Sequence, residues 1–155
     1  MTDMGKWTDR LAEIGVRLPH VVPPVAAYVP AVRSGSHVYV SGQVPVVDGQ
    51  LPATGKVGAE VSAEDAKQYA RTCVLNALAA VDALVGLDSV VRVVKVVGFV
   101  ASAEGFNGQP PVINGASELI GEIFGEAGQH ARSAVGVAEL PIGAPVEVEM
   151  IVEVA

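Results

Sequence analysis

Arg132, Glu147 and Glu149 are the residues whose types and spacing suggest chemistry. Arg132 lies in a stretch, Ala131–Ala138, in which Ala134, Gly136 and Ala138 share its side of an extended strand. Small neighbours leave room beside a guanidinium, and a guanidinium in a recess can grip a carboxylate through two parallel hydrogen bonds. Glu147 and Glu149 are two residues apart, so they project to one face, expected to be the face that carries Arg132. Two carboxylates so placed repel each other unless cations, water or a partner compensate. An arginine at a strand start is also a common solvated or salt-bridged residue. A binding role and a plain structural role both stand at this point.

If the two strands form a hairpin centred near Pro141-Ile142, Glu147 pairs near Gly136. That is about four residues, or roughly 13 Å, along the strand from Arg132. One small substrate does not easily span that gap within a subunit. A site that brings Arg132 of one chain to Glu147 of another is the expected solution.

Other catalytic patterns are missing from the sequence. His20, His37 and His130 have no metal-ligand spacing with one another or with Cys73. Cys73 falls on the buried stripe of a helix and reads as a small core hydrophobe. There is no Gly-x-Ser-x-Gly nucleophile elbow and no glycine-rich phosphate loop, and Gly35-Ser36-His37 is a turn with a histidine beside it.

The elements that must position these residues follow from periodicity. Trp7, Leu11 and Ile14 suggest a short N-terminal helix. Pro19–Pro30 is extended and irregular. Tyr28–Ser34 and His37–Val44 read as strands around a Ser34-Gly35-Ser36 turn, and Val46–Lys56 as loops and a short hairpin. Ser62 and Asp65 make a capping box ahead of a stripe of Ala66, Tyr69, Ala70, Cys73, Ala77, Val81 and Leu84, which Gly86 ends. Val93–Ala101 reads as a central strand covered on both faces. A second helix starts near Pro111 and buries Val112, Ala116, Leu119, Ile120 and Ile123. In Ala131–Ala138, Val135 and Val137 share one face, and in Val146–Val154 the even positions are all apolar. The valine faces of both strands are expected to lie under the helices. The order is β-β-(β)-α-β-α-β-β, an α+β fold with one mixed sheet and two helices on one face.

Composition bounds the rest. A chain of 155 residues suits one domain, and neither an internal repeat nor a linker is visible. Half the residues are hydrophobic and 17% are charged, which excludes a disordered chain. No apolar run approaches the roughly 18 residues of a membrane span. The excess apolar surface therefore calls for an oligomer interface over the sheet's bare face. Net charge is −7 and the ten basic residues are scattered, which disfavours nucleic acid as a partner. A single cysteine leaves no internal disulfide and no cysteine-based zinc site. Met1–Gly15 carries acids and no apolar core of a leader, so a cytoplasmic protein is expected.

Several motifs, taken in order, resemble one family. Arg132-Ser133-Ala134-Val135-Gly136-Val137-Ala138-Glu139-Leu140-Pro141, followed by Val146-Glu147-Val148-Glu149, is similar to the C-terminal signature of the RidA (YjgF) family. Val38–Pro45 resembles that family's strand ending in Ser-Gly-Gln-(Ile/Val)-Pro, and Gly49–Gly55 its following loop. Leu87–Phe106 resembles its central strand, with Val112–Glu118 after it. Each motif alone is weak, but their order and spacing over residues 25–155 are specific.

The resemblance implies a chorismate-mutase-like fold and a homotrimer with three ligand clefts between subunits. It implies hydrolysis of reactive enamines and imines, such as 2-aminoacrylate, to 2-keto acids and ammonia, with no cofactor or metal. By the same resemblance Arg132 clamps the substrate carboxylate and Glu147 positions or activates water. Tyr28, Ser41 and Asn114 line the cleft. Each of these three also has a plain role open to it: strand-start packing, a strand end or bulge, and local backbone bonding. The sequence departs from the family where Val29-Pro30 follow Tyr28 in place of Ser-Gln, and where Ala134 replaces a Cys or Thr. The N-terminal stretch is also longer than in compact members. These departures mark a divergent, longer-chain branch, divided into an extension (1–24) and a RidA-like domain (25–155). Three expectations remain: a deaminase, which retained Glu147 favours; a non-catalytic trimer holding small carboxylates in the same clefts, which the lost Ser-Gln favours; and an RNA-acting or protein-binding trimer, whose RNA version the acidic charge argues against.

Overall fold

The computed structural model describes residues 5–155 except 22, 23, 25 and 26. Its first helix, α1 (Lys6–Glu13), begins at Gly5, which has no side chain to cap it. The cap comes from far along the chain. Asp88 Oδ1 accepts from the Trp7 and Thr8 amides at 2.9 Å each, and Oδ2 accepts from the Thr8 hydroxyl at 2.6 Å. Partial burial works to raise the Asp88 pKa, but these bonds to the carboxylate outweigh it and the net shift is downward. Trp7 donates its indole N–H to the Val90 carbonyl at 2.7 Å and meets Phe124 edge-on, so α1 is packed into the main core.

Strands β1 (Ala31–Ser34) and β2 (His37–Gln43) form a hairpin around Gly35. The first strand is shorter than the sequence suggests: Tyr28 lies before it, and Pro30, with no amide hydrogen, cannot donate to the ladder. Residues 46–56 form no strand, only an isolated Val47–Gln50 bridge, so the bracketed third strand is not there.

Helix α2 (Ala63–Val85) starts where Ser62 Oγ accepts the Asp65 amide at 3.1 Å and stops at Gly86, φ +80°. It buries a wider stripe than expected, adding Val74, Leu78 and Ala80, while Leu84 in the last turn is exposed. Helix α3 (Gln109–Phe124) carries Pro110 and Pro111 in its first turn, where missing amide hydrogens cost nothing. Among the described residues no helix is long and apolar enough to cross a membrane.

Strands β3 (Val90–Ala101), β4 (Ala131–Val137) and β5 (Val146–Val154) complete a sheet of order β1-β2-β5-β3-β4. All neighbours are antiparallel except β3 and β4, which are parallel and joined by the α3 crossover. Both long helices cover one face, and the fold is the expected α+β class. Val93, Val96 and Val100 of β3 and Val146, Val148, Met150 and Val152 of β5 point under them.

Two expectations are overturned. β4 and β5 do not form a hairpin, because β3 lies between them, so Glu147 is level with Phe99 and not paired with Gly136. The valines of β4 are not under the helices. The parallel register sets Arg132 beside Val96 and Ala134 beside Gly98, both helix-facing, which turns Val135 outward at 42% exposure. β3 is likewise covered by helices on one face only, with Lys95 exposed and Val97 and Phe99 half-buried on the other.

The two long helices touch closely at Gly115. A methyl group there would overlap the Lys67 carbonyl oxygen of α2 and sit 3.0 Å from Lys67 Cγ. Gly115→Ala is expected to cost about 2–3 kcal/mol by overpacking. Thermal denaturation should show Tm lowered by roughly 5–10 °C. An unchanged Tm would mean that α2 and α3 part without penalty.

Candidate functional site

Arg132 sits on the edge strand β4 and reaches over the first turns of α3. Its Nη1 donates to Asn114 Oδ1 at 2.8 Å and to Ser117 Oγ at 3.2 Å, and Nη2 makes a long contact of 3.5 Å with the Pro110 carbonyl. Asn114 and Ser117 are three residues apart on one helix face, which is why both meet the same nitrogen. The two Nη1 hydrogens are thereby engaged. The edge formed by Nε and Nη2 is left for a two-pronged bond to a planar anion. No ion pair joins Arg132 to a carboxylate among the described residues. Ala134 and Gly136 follow on the same side, as the sequence suggests, and a Cβ on Gly136 would crowd Gln109 Nε2 at 2.8 Å.

Glu147 belongs to a different place. It stands on β5 opposite Phe99, on the face away from the helices, with Glu149 next along. The expectation that it shares a face with Arg132 is wrong, because β4 enters the sheet parallel to β3 with Arg132 toward α3. Three residues along and two strands across, the two positions are about 10 Å apart in each direction and on opposite sides of the sheet. One chain cannot bring both side chains to one small molecule.

What surrounds Glu147 comes from β2 and the segment before β1. Between Val40 and Gln43 the register with β5 slips by one residue, a bulge at Ser41-Gly42. It brings Gly42 against the Glu147 carboxyl, so close that a Cβ would meet the carboxyl carbon at 2.8 Å and overlap Oε1. Ser41 donates its hydroxyl to the Val29 carbonyl at 2.7 Å and its amide to the Pro30 carbonyl at 2.8 Å. It thus pins the Tyr28–Pro30 segment beside the bulge. A cavity of about 340 Å³ opens there, lined by Tyr28, Pro30, Gly42, Val44, Val46 and Ile142 among others. Ile142 holds a left-handed φ of +54°, a costly conformation for a β-branched side chain, and is 70% exposed at the rim. Burial, and secondarily the charge of Glu149, raises the Glu147 pKa above its ordinary value.

The five residues singled out in the sequence therefore fall into two groups. Arg132 and Asn114 form one; Glu147, Tyr28 and Ser41 form the other. Ser117 and Gly42 were missed. The three-residue spacing from Asn114 could have found Ser117; nothing local in the sequence marks Gly42 as the seat of a carboxylate. Cys73 is fully buried, its pKa raised by burial and then by Glu147, in keeping with a core role. No cluster of three metal-binding side chains occurs among the described residues.

The model of the Endoribonuclease L-PSP family matches residues 19–154. The Agrobacterium tumefaciens protein Atu1372, a crystal structure of unknown function, is 46% identical with a TM-score of 0.88, covering 96% of this chain and 92% of that one. A Dermatophagoides farinae protein named 2-iminobutanoate/2-iminopropanoate deaminase is 36% identical over 138 residues, 88% of this chain and 93% of its own length. The crystal structure of Escherichia coli TdcF with bound serine is 26% identical with a TM-score of 0.66, covering 88% of this chain and 94% of that one.

The raised Glu147 pKa has a consequence for stability. The folded chain holds this proton more tightly than the unfolded chain does. The stabilisation is complete below the unfolded value and is lost as pH rises through the folded one. Glu147→Gln removes the ionisation. Its Tm is expected to exceed wild type at about pH 7–8 and to converge with it near about pH 4. A wild type as stable as the variant at neutral pH would show that the carboxylate is compensated.

Proposed function

The chain belongs to the Endoribonuclease L-PSP family, the YjgF/RidA family, and we propose that it hydrolyses 2-enamino and 2-imino acids to 2-keto acids and ammonia. The reaction takes place in clefts between the subunits of a homotrimer, without metal or cofactor. The observation that carries this reading is Arg132: a guanidinium held by Asn114 and Ser117, with a free edge and no acidic partner. The serine bound in TdcF, itself a carboxylate, and the deaminase name of the mite relative support the same ligand class. Because Arg132 and Glu147 lie on opposite sides of the sheet, each cleft takes Arg132 from one subunit and Glu147 from its neighbour.

The chemistry asks little of the protein. An enamine first takes a proton at its terminal carbon and becomes the imine. Arg132 fixes the carboxylate. Glu147 accepts a proton from water as its oxygen adds to the imine carbon and passes that proton to the nitrogen. The C–N bond of the carbinolamine then breaks as its hydroxyl proton moves to the nitrogen, leaving ammonia and the keto acid. A base whose pKa is raised by burial is better matched to neutral pH than an ordinary carboxylate. Fixing one water and one imine carbon together supplies several kcal/mol by orientation alone. The apolar cavity beside Glu147 receives the substituent on the imine carbon.

An amino-acid oxidase can generate 2-imino acids in place, with semicarbazide trapping whatever survives. Wild type is expected to suppress trapping. Arg132→Ala should raise KM by about 100-fold or more, the cost of stranding a desolvated carboxylate. Glu147→Gln should lower kcat by about 100-fold to 10,000-fold, the usual range for a positioned base. Failure of folded wild type to suppress trapping, while still binding 2-oxobutanoate, would leave a carboxylate-binding protein and no deaminase.

The shared cleft is tested by mixing. Each inactive variant keeps the half-site that the other lacks. Unfolding Arg132→Ala and Glu147→Gln chains together and refolding them should restore about a quarter of wild-type activity, because mixed trimers contain one intact cleft. No recovery from verified mixed oligomers would overturn the shared cleft.

A further inference from the structure

We propose that His130 is a positioning residue, orienting the Ser117 hydroxyl so that Arg132 is presented correctly to its ligand. The proposal rests on the reading of Arg132 as a carboxylate clamp.

The argument is one of donors and acceptors. His130 precedes β4 and lies two residues before Arg132. Its Nδ1 meets the Gly128 carbonyl, and its Nε2 lies 2.9 Å from Ser117 Oγ. A carbonyl oxygen only accepts, so Nδ1 carries the hydrogen. In the neutral ring Nε2 is then bare and accepts the Ser117 hydroxyl proton. With its proton committed to His130, Ser117 turns a lone pair to Arg132 and accepts from Nη1 at 3.2 Å. All the donors point one way, from Arg132 to Ser117 to His130 to Gly128.

The end of this chain is itself well fixed. Gly128 is pressed so close to α3 that a Cβ would lie 2.8 Å from the Ile120 carbonyl oxygen. Arg92 Nη2 donates to the neighbouring Gln129 carbonyl at 3.0 Å. Without an acceptor at the Nε2 position, a serine hydroxyl inside a helix rotates freely or bonds back to its own helix carbonyl. In some rotamers its proton would then face the Nη1 hydrogens, and the guanidinium would keep only one of the two bonds that fix Nη1, the one to Asn114.

The test compares His130→Phe, which fills the space without an acceptor, with His130→Gln, whose amide oxygen can occupy the Nε2 position. Calorimetry with 2-oxobutanoate and imine kinetics give the readouts. His130→Phe is expected to weaken 2-oxobutanoate binding and raise KM by about fivefold to tenfold, with kcat near wild type. His130→Gln should recover most of the loss. Ser117→Ala should match His130→Phe, and the double variant should be no worse than Ser117→Ala. Wild-type binding by His130→Phe, or equal losses in the Phe and Gln variants, overturns the proposal. If His130→Phe does not fold, wild-type affinity in Ser117→Ala overturns it instead. Wild type that binds 2-oxobutanoate without hydrolysing imines removes the deaminase reading and leaves this one standing. Normal turnover with an unmoved KM in His130→Phe does the reverse. Wild type that neither binds nor turns over removes both.

Discussion

The parallel pairing of β4 on β3 is the constraint on which the rest depends. It is the only parallel strand pair among the described residues, and the α3 crossover is long enough to allow it. Its register, Val96 beside Arg132, decides that a charged side chain faces the helix layer. An unpartnered guanidinium under a helix would be costly, and the amide of Asn114 and the hydroxyl of Ser117 are what make the position tolerable. The same register sends Val135 outward and isolates the arginine from the carboxylates of β5.

What the sequence made legible was mostly local. Ser62 and Gly86 bracket α2 by capping chemistry that acts within a turn, and β5 shows its two faces through strict alternation. Alternation also groups Arg132 with Ala134 and Gly136 correctly. It does not say which group is covered, and Val135 and Val137 looked like the buried side because they are apolar. Strand order was the missing fact, and order is set by a non-local pairing that no local pattern encodes. Arg132 and Glu147 stood out by residue type and alternation, and Tyr28, Ser41 and Asn114 by motif resemblance; both carry identities but not geometry. Hence Arg132 and Glu147 came forward as candidates but were placed wrongly relative to each other.

The open face of the sheet shows the other side of this arrangement. Tyr39 and Val135 are 46% and 42% exposed there, with Val97, Phe99 and Ile151 half-buried between them. The acids of β5 are interleaved with these apolar side chains, and β3 sets Arg92 opposite Glu153 in the register. Opposite charges across neighbouring strands attract, so the face is less hostile to coverage than its three glutamates suggest. Glu147 is the member of that set farthest from the basic residues and nearest the bulge, where glycine lets it fold down against backbone.

The capping of α1 bears on the order in which the chain can fold during synthesis. Eight residues make too short a helix to persist alone in water. The carboxylate that completes its first turn lies 81 positions later than Trp7, beyond the whole of α2. Helix α1 must therefore wait, unformed, until the chain through Asp88 has been made. A stalled or truncated product ending before Asp88 would display its apolar side chains Trp7 and Leu11.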